Sequence, residues 1–251
     1  MSAEVRRQFF RDVLLAFRRS GIPFLIGGAY ALTHYTGIRR RTKDLDLFVY
    51  PRDGRRIVRT FAEEGFESRM VCSYWLAKIG GPEALVDIIF ASRNGICRVD
   101  EAWFGHSEAG ILYGVPVRVI PPEEMMWSKG YVMERDRFDG ADICHLIRER
   151  AESLDWGRLL ERFGDHWPVL LSHLILFGFV YPSHRGLVPD SVIRELVDRW
   201  RRTDRASSRR RLCRGPLLAQ SQYMIDILRW GYHDARRVPP AGLTRGQIAA
   251  S

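Results

Sequence analysis

Two aspartates one residue apart, Asp44 and Asp46, stand in the run Thr42-Lys43-Asp44-Leu45-Asp46-Leu47-Phe48-Val49. The run reads as a strand, in which residues i and i+2 point to the same face. Asp44 and Asp46 then project together, while Leu45, Leu47 and Val49 face the other way. Two neighbouring carboxylates resist ionising together. With a hard divalent cation such as Mg²⁺ they become a ligand set. Upstream, Gly27-Gly28 closes the apolar run Phe24-Leu25-Ile26. Downstream, Asp87 interrupts Ala84-Leu85-Val86-Asp87-Ile88-Ile89-Phe90, where an unpaired charge is expensive. Each piece also has a plainer explanation. The glycines can make a tight turn, the aspartate pair can sit on a solvated sheet edge, and Asp87 can pair with an arginine.

The elements that must position these residues follow from apolar periodicity. Phe9, Val13, Leu14 and Phe17 recur at helical spacing and predict an amphipathic helix over the first 20 residues, ended by Gly21 and Pro23. A short strand at residues 24–26, a helix at 28–35 and a strand at 45–50 follow. Pro51-Arg52-Asp53-Gly54 turns into a helix reaching about Glu64. Strands are expected at 66–72, 74–79 and 84–90, with Gly80-Gly81-Pro82 as a turn, and a strand or small hairpin at 111–120 around Gly114. After Pro121-Pro122 only helical patterns occur, at 123–135, 138–150, 156–163, 167–179, 190–202 and 217–230. The expected organisation is an α/β (α+β) domain over residues 1–120, a helical region over 121–235, and a flexible tail over 236–251.

Composition bounds the partners. The 251 residues include 39 Lys and Arg against 30 Asp and Glu, a formal charge of +9, with an isoelectric point near 9.8. Such a surface suits polyanionic partners, whether nucleotides, nucleic acid or anionic surfaces, or reflects a generally arginine-rich proteome. The lysines are only Lys43, Lys78 and Lys129, which makes each worth inspecting. Cys72, Cys97, Cys144 and Cys213 are widely spaced, without zinc-ligand spacing, and read as reduced thiols of a cytoplasmic protein. The apolar run Trp167 to Tyr181 is short for a membrane span and reads as a buried core helix, so no membrane partner is expected. The arginine run at residues 199–214 is either a nucleic-acid contact or a solvated loop. Arg39-Arg40-Arg41-Lys43 differs, because it adjoins Asp44 directly.

In order and context, Gly27, Gly28, Asp44, Asp46 and Asp87 resemble the signature of the nucleotidyltransferase superfamily that includes DNA polymerase β. That signature is a Gly-Gly or Gly-Ser pair opening a helix, Asp-x-Asp on the next strand, and a carboxylate on a later strand. The segment Val119 to Lys129, followed by Arg135 and Asp139-Gly140-Ala141-Asp142, is similar to one in minimal nucleotidyltransferases and abortive-infection type toxins of toxin–antitoxin systems. It departs from the toxin pattern at Val132 and Phe138. The resemblance covers residues 20 to 150.

The resemblance implies a nucleotidyltransferase-fold mixed sheet with flanking helices, followed by a helical C-terminal region. It implies transfer of a nucleoside monophosphate from an NTP to an acceptor hydroxyl, with release of pyrophosphate. Asp44, Asp46 and Asp87 would hold two Mg²⁺ ions, Asp87 would take the proton, and Gly27, Gly28, Thr42 and Lys129 would contact the nucleotide. Asp139 and Asp142 would either act directly or only cap a helix and hold a basic residue. RNA, such as a tRNA end, suits the basic surface as acceptor, and a toxin would have an antitoxin partner. The alternatives are an antibiotic-modifying or protein-modifying enzyme, or an inactive member that binds nucleotide or nucleic acid. A cationic antibiotic would want an acidic cleft, which Glu63, Glu64, Glu67, Glu123 and Glu124 do not by themselves establish.

Overall fold

The computed structural model describes residues 2–40, 42–203 and 211–237. The chain divides into two compact units between Pro121 and Pro122. The first begins with helix α1 (Ala3–Ser20). Ser2 caps it by accepting a hydrogen bond from the Val5 amide, and Gly21 ends it in the left-handed conformation. Then follow β1 (Leu25–Ile26), α2 (Gly28–Thr36), β2 (Asp44–Phe48), α3 (Gly54–Glu63), β3 (Ser68–Cys72), β4 (Leu76–Gly81) and β5 (Ala84–Ile89). A short helix α4 (Glu101–Gly105) and the hairpin β6 (Glu108–Leu112) and β7 (Val115–Val119) complete the unit.

The seven strands form one mixed sheet in the order β3-β4-β5-β2-β1-β7-β6. β2 runs parallel to β5 and β1 parallel to β7, while the remaining neighbours are antiparallel. On one face, Phe10, Val13, Leu14 and Phe17 of α1 and Ile57 and Phe61 of α3 pack on Leu45, Leu47, Ala77, Ile79, Val86 and Ile88 in a single buried cluster. Strand alternation therefore turns Asp44, Asp46, Lys78 and Asp87 to the opposite face.

Three local expectations change. Gly80 and Gly81 are strand residues, and the β4–β5 turn is Pro82-Glu83. Gly80 is needed there because its φ is +92° and a Cβ would meet the Ala84 carbonyl oxygen at 2.4 Å. The hairpin around Gly114 starts earlier than expected. Its two-residue turn, Tyr113-Gly114, has positive φ at both positions, as tight right-twisted hairpins require. Helix α4 was not anticipated, being too short to show periodicity.

The second unit holds α5 (Pro122–Gly130), α6 (Gly140–Arg150), α7 (Trp156–Phe163), α8 (Trp167–Val180), α9 (Asp190–Arg202) and α10 (Gln220–Leu228). It also holds a two-residue parallel pair, β8 (Leu212–Cys213) with β9 (His233–Asp234), where only helix was expected. Pairs this short leave no alternation to read. Helix α8 is not the buried core helix its composition suggests. Leu170, His173, Leu174 and Phe177 are buried, but Ile175 and Phe179 are 64% and 81% exposed. The stretch Trp156–Val180 is long and apolar enough to cross a membrane by length and composition, with 28% of its most apolar window buried.

Of the arginine run, Arg199 pairs with Glu195, and Arg201 and Arg202 with Asp198. Arg205, Arg209 and Arg210 lie outside the described residues, as do residues 238–251 of the expected tail. Ala235–Arg237 form a 3-10 turn in which Arg236 pairs with Asp234 at 2.6 Å. None of the four cysteines forms a disulfide.

Candidate active site

The candidate site is built on β2, the strand at the middle of the sheet, which excludes a solvated edge for Asp44 and Asp46. Both carboxylates are half-buried, and Leu45 and Leu47 between and beside them are fully buried on the other face. The parallel pairing of β2 with β5 sets Asp46 directly beside Asp87. The three aspartates thus share one face.

The glycine pair is welded to this strand. The Gly27 amide donates to the Asp46 carbonyl at 2.9 Å. Gly28 has φ +55°, and a Cβ there would fall 1.7 Å from Asp46 Oδ2. Only glycine permits both that backbone and that approach. The approach sets the Asp46 carboxylate against the first residue of α2, where the helix dipole favours negative charge. Gly28→Ala is therefore expected to push the Asp46 side chain out of place. The left-handed backbone alone costs about 1–2 kcal/mol with a Cβ. Thermal unfolding should record that loss.

Thr42 is engaged with the strand itself. Its hydroxyl donates to Asp44 Oδ1, in a short contact, and lies 3.1 Å from the Asp44 carbonyl. Thr42 thereby orients Asp44. The exposed Arg39, Arg40 and Lys43 flank this end of β2, and Arg41 lies outside the described residues.

Asp87 pairs with a lysine, not the arginine considered from sequence. Lys78 Nζ lies 2.8 Å from Asp87 Oδ1, with both side chains about one-fifth exposed (21% and 20%). β4 places Lys78 opposite Asp87 just as β5 places Asp87 beside Asp46, so the three form one row across three strands. Sequence reasoning missed Lys78 because it set the turn at Gly80-Gly81-Pro82. Counting outward from Pro82-Glu83 puts residue 78 opposite residue 87.

A second feature missed in the sequence is the tyrosine pair Tyr30 and Tyr113, whose hydroxyls share a short hydrogen bond. Tyr113 is the one non-glycine residue with positive φ (52°) among the described residues. Burial first, then the Tyr113 hydrogen bond and charge, push the Tyr30 phenol far above its ordinary range. Asp44 adds to this and Arg6 opposes it. Tyr30 therefore stays protonated within the field of Asp44.

Lys129 lies in the helical unit, where it is already neutralised. Its Nζ is 2.7 Å from Asp139 Oδ2 and 2.8 Å from Asp142 Oδ2, and its side chain is 15% exposed. Asp139 stands at the N-cap of α6 without a side-chain capping bond, because its carboxylate goes to Lys129. Burial opposes its ionisation, but Lys129 and then Arg137 outweigh that and hold it below the usual carboxylate range. Of the two readings of Asp139 and Asp142, these contacts match the one in which they hold a basic residue. Arg135 is exposed, and the arginine beside Asp139 is Arg137.

The donor chemistry on β2 and β5 suits a divalent ion. It is all carboxylate, without nitrogen or sulfur, as Mg²⁺ prefers, and the missing side chain of Gly28 lets the Asp46 carboxylate lie against the start of α2. Among the described residues, however, no three His, Cys, Asp or Glu side chains converge on one ion position. Asp87 is drawn towards Lys78 instead.

No family model matches this chain, and no curated protein is detectably similar to it. Among solved structures, it is similar to the antibiotic-resistance factor ANT(2'')-Ia in solution, with TM-score 0.48 and 20% identity over 68% of this chain and 98% of that one. It is also similar to the lincosamide antibiotic adenylyltransferase LnuA with lincomycin bound, with TM-score 0.40 and 14% identity over 58% and 96%. A nucleotidyltransferase-like protein from Paracoccidioides brasiliensis aligns with TM-score 0.39 and 16% identity over 69% and 93%. At such scores and identities these likenesses assign this chain neither an activity nor a substrate.

Proposed function

We propose that this chain is a Mg²⁺-dependent nucleotidyltransferase that moves a nucleoside monophosphate from an NTP to an acceptor hydroxyl and releases pyrophosphate. One observation carries the reading: strand pairing sets Asp87 beside Asp46, on the face shared with Asp44, against a helix start opened by two glycines. Asp44 and Asp46, with Asp87 beside them, would hold the metal. When bound there, Mg²⁺ neutralises phosphate charge and lowers the pKa of an acceptor hydroxyl.

The chain's own groups supply the rest. The start of α2 turns backbone amides and the positive end of a helix dipole towards a phosphate. Gly27 and Gly28 allow the backbone to approach it closely. The acceptor oxygen forms a bond to the α-phosphorus as the bond to the pyrophosphate oxygen breaks. Asp87 binds Lys78 through Oδ1, and its other oxygen, Oδ2, receives the acceptor's proton. Positioning and electrostatics carry most of the rate enhancement.

RNA is the acceptor class these features support best. The chain carries a formal charge of +9, and exposed Arg39, Arg40 and Lys43 adjoin Asp44. The five glutamates weighed from sequence for an acidic cleft are all engaged by arginines. Glu63 pairs with Arg59, Glu64 with Arg19, Glu67 with Arg69, Glu123 with Arg158, and Glu124 with Arg158 and Arg162. A toxin role follows if the modified RNA is needed for growth, and an antitoxin would then restore growth.

The test is incubation of the purified chain with Mg²⁺, each α-³²P-labelled NTP in turn, and total cellular RNA. Label is expected in a discrete RNA band from one NTP, and is expected to be absent with Asp44→Ala/Asp46→Ala. Label on protein alone would move the acceptor to protein. Absence of both label and metal-dependent NTP binding would overturn the enzyme reading.

A further inference from the structure

Lys78 is a cation built into the middle of a candidate cation site. It lies in one row with Asp87 and Asp46 across β4, β5 and β2, and the next strand out, β3, places Arg69 opposite it. Arg69 turns to Glu67 at 3.0 Å and is half exposed. Lys78 instead turns to Asp87 at 2.8 Å, in a setting only one-fifth exposed. Its strand neighbours Ala77 and Ile79 are fully buried on the other face, so the strand cannot rotate to move it away. An ammonium is a compact point charge. A divalent ion that used Asp87 would have to sit beside it, with like charges opposed across a partly dehydrated gap.

We propose that Lys78 takes the place of a metal ion at Asp87, so that Asp44 and Asp46 alone hold a single divalent ion. The inference rests on the nucleotidyltransferase reading above and narrows it. Lys78 and Asp87 form a self-neutralised pair that keeps the third carboxylate positioned beside the metal without ligating it. Lys78 is thus a positioning residue, and the positive charge expected of a second ion is permanently supplied by the chain. The failure of three donors to converge among the described residues follows from the same pairing.

Mn²⁺ binding to the nucleotide-free chain, counted by the loss of its free-ion paramagnetic resonance signal, tests this without any assay of turnover. The wild-type chain is expected to bind one Mn²⁺. Lys78→Met removes the opposing charge and frees Asp87, so Mn²⁺ should bind about tenfold more tightly, while Lys78→Arg should stay near wild type. The double variant Lys78→Met/Asp87→Asn deletes the pair at no net change of charge, and should return to within about threefold of wild type, well under 1.4 kcal/mol. Its value lies in testing Asp87 even if Lys78→Met alone folds poorly.

Two ions on the wild-type chain, or strong loss of binding in the double variant, would show Asp87 to be a ligand and overturn the proposal. Unchanged or weaker binding in a folded Lys78→Met would do the same. Binding that survives Asp44→Ala/Asp46→Ala in every background would overturn the proposed metal site itself, and with it the parent reading.

Discussion

Asp46→Asn is expected to lower nucleotidyl transfer at least about a thousandfold, near the upper end of what one misplaced electrostatic group costs an active site. Asparagine keeps the shape and one oxygen but removes the charge that a divalent ion needs. Three features of the structure concentrate the effect on this residue. Its carboxylate meets the start of α2 where Gly28 has no side chain. Its carbonyl accepts the Gly27 amide. Its β5 neighbour is Asp87. The fold should change little, because relief of carboxylate repulsion offsets the loss of the charge facing the start of α2. The melting temperature should move by less than about 3 °C, or rise. Transfer of label to RNA and thermal unfolding, measured on the same preparation, check both halves. Near-normal turnover in Asp46→Asn would falsify the metal assignment.

Glu124→Ala is expected to destabilise the helical unit by about 3–5 kcal/mol, the cost of breaking a buried ion pair by removing one partner. Glu124 is fully buried on α5. Both its oxygens accept from Arg158 Nη1 at 2.6 Å, and Oε1 also accepts from Arg162 Nε at 2.9 Å. Glu123, also buried, pairs with Arg158 and accepts from the Asp155 amide at 2.7 Å. Two acids and two arginines balance, and the arginine side chains are only 12% and 15% exposed. Loss of Glu124 would take from Arg158 and Arg162 the carboxylate they share, leaving one acid against two largely buried guanidinium charges. Arg158 Nε is already buried without a hydrogen-bond partner, so the network has little slack. Urea unfolding, followed by tryptophan fluorescence of the helical unit, reads the loss. A cost below about 1 kcal/mol would mean that these charges behave like exposed pairs.

The glutamate network also shows why two adjacent acids were hard to interpret from sequence. Glu123-Glu124 follows Pro121-Pro122 at a helix start, where acids usually complement the dipole from solvent. Their partners, Arg158 and Arg162, lie more than thirty residues on and one turn apart on α7. Nothing in local spacing selects those two from among the chain's arginines. Lys129 presents the same difficulty: it stood out as rare, but its two carboxylate partners are a tertiary fact.

What the sequence determined by itself is what period and backbone chemistry determine. Alternation put Asp44 and Asp46 on one face and Leu45 and Leu47 on the other, because a strand repeats every two residues. Helical spacing placed Val13, Leu14 and Phe17 on the inward stripe of α1, but the residue that completes the buried stripe is Phe10, with Phe9 only partly buried beside it. The Gly27-Gly28 pair marked a place where the backbone must do what other residues resist. Tertiary structure alone decided which strands became neighbours. It placed β5 beside β2, and so Asp87 beside Asp46. It set the β4 register that brings Lys78 to Asp87, and it left one side of the apolar helix α8 exposed. The reason is that strand partners and buried ion pairs are chosen by packing the whole chain at once. The energy of any one long-range pairing is invisible in the residues on either side of it.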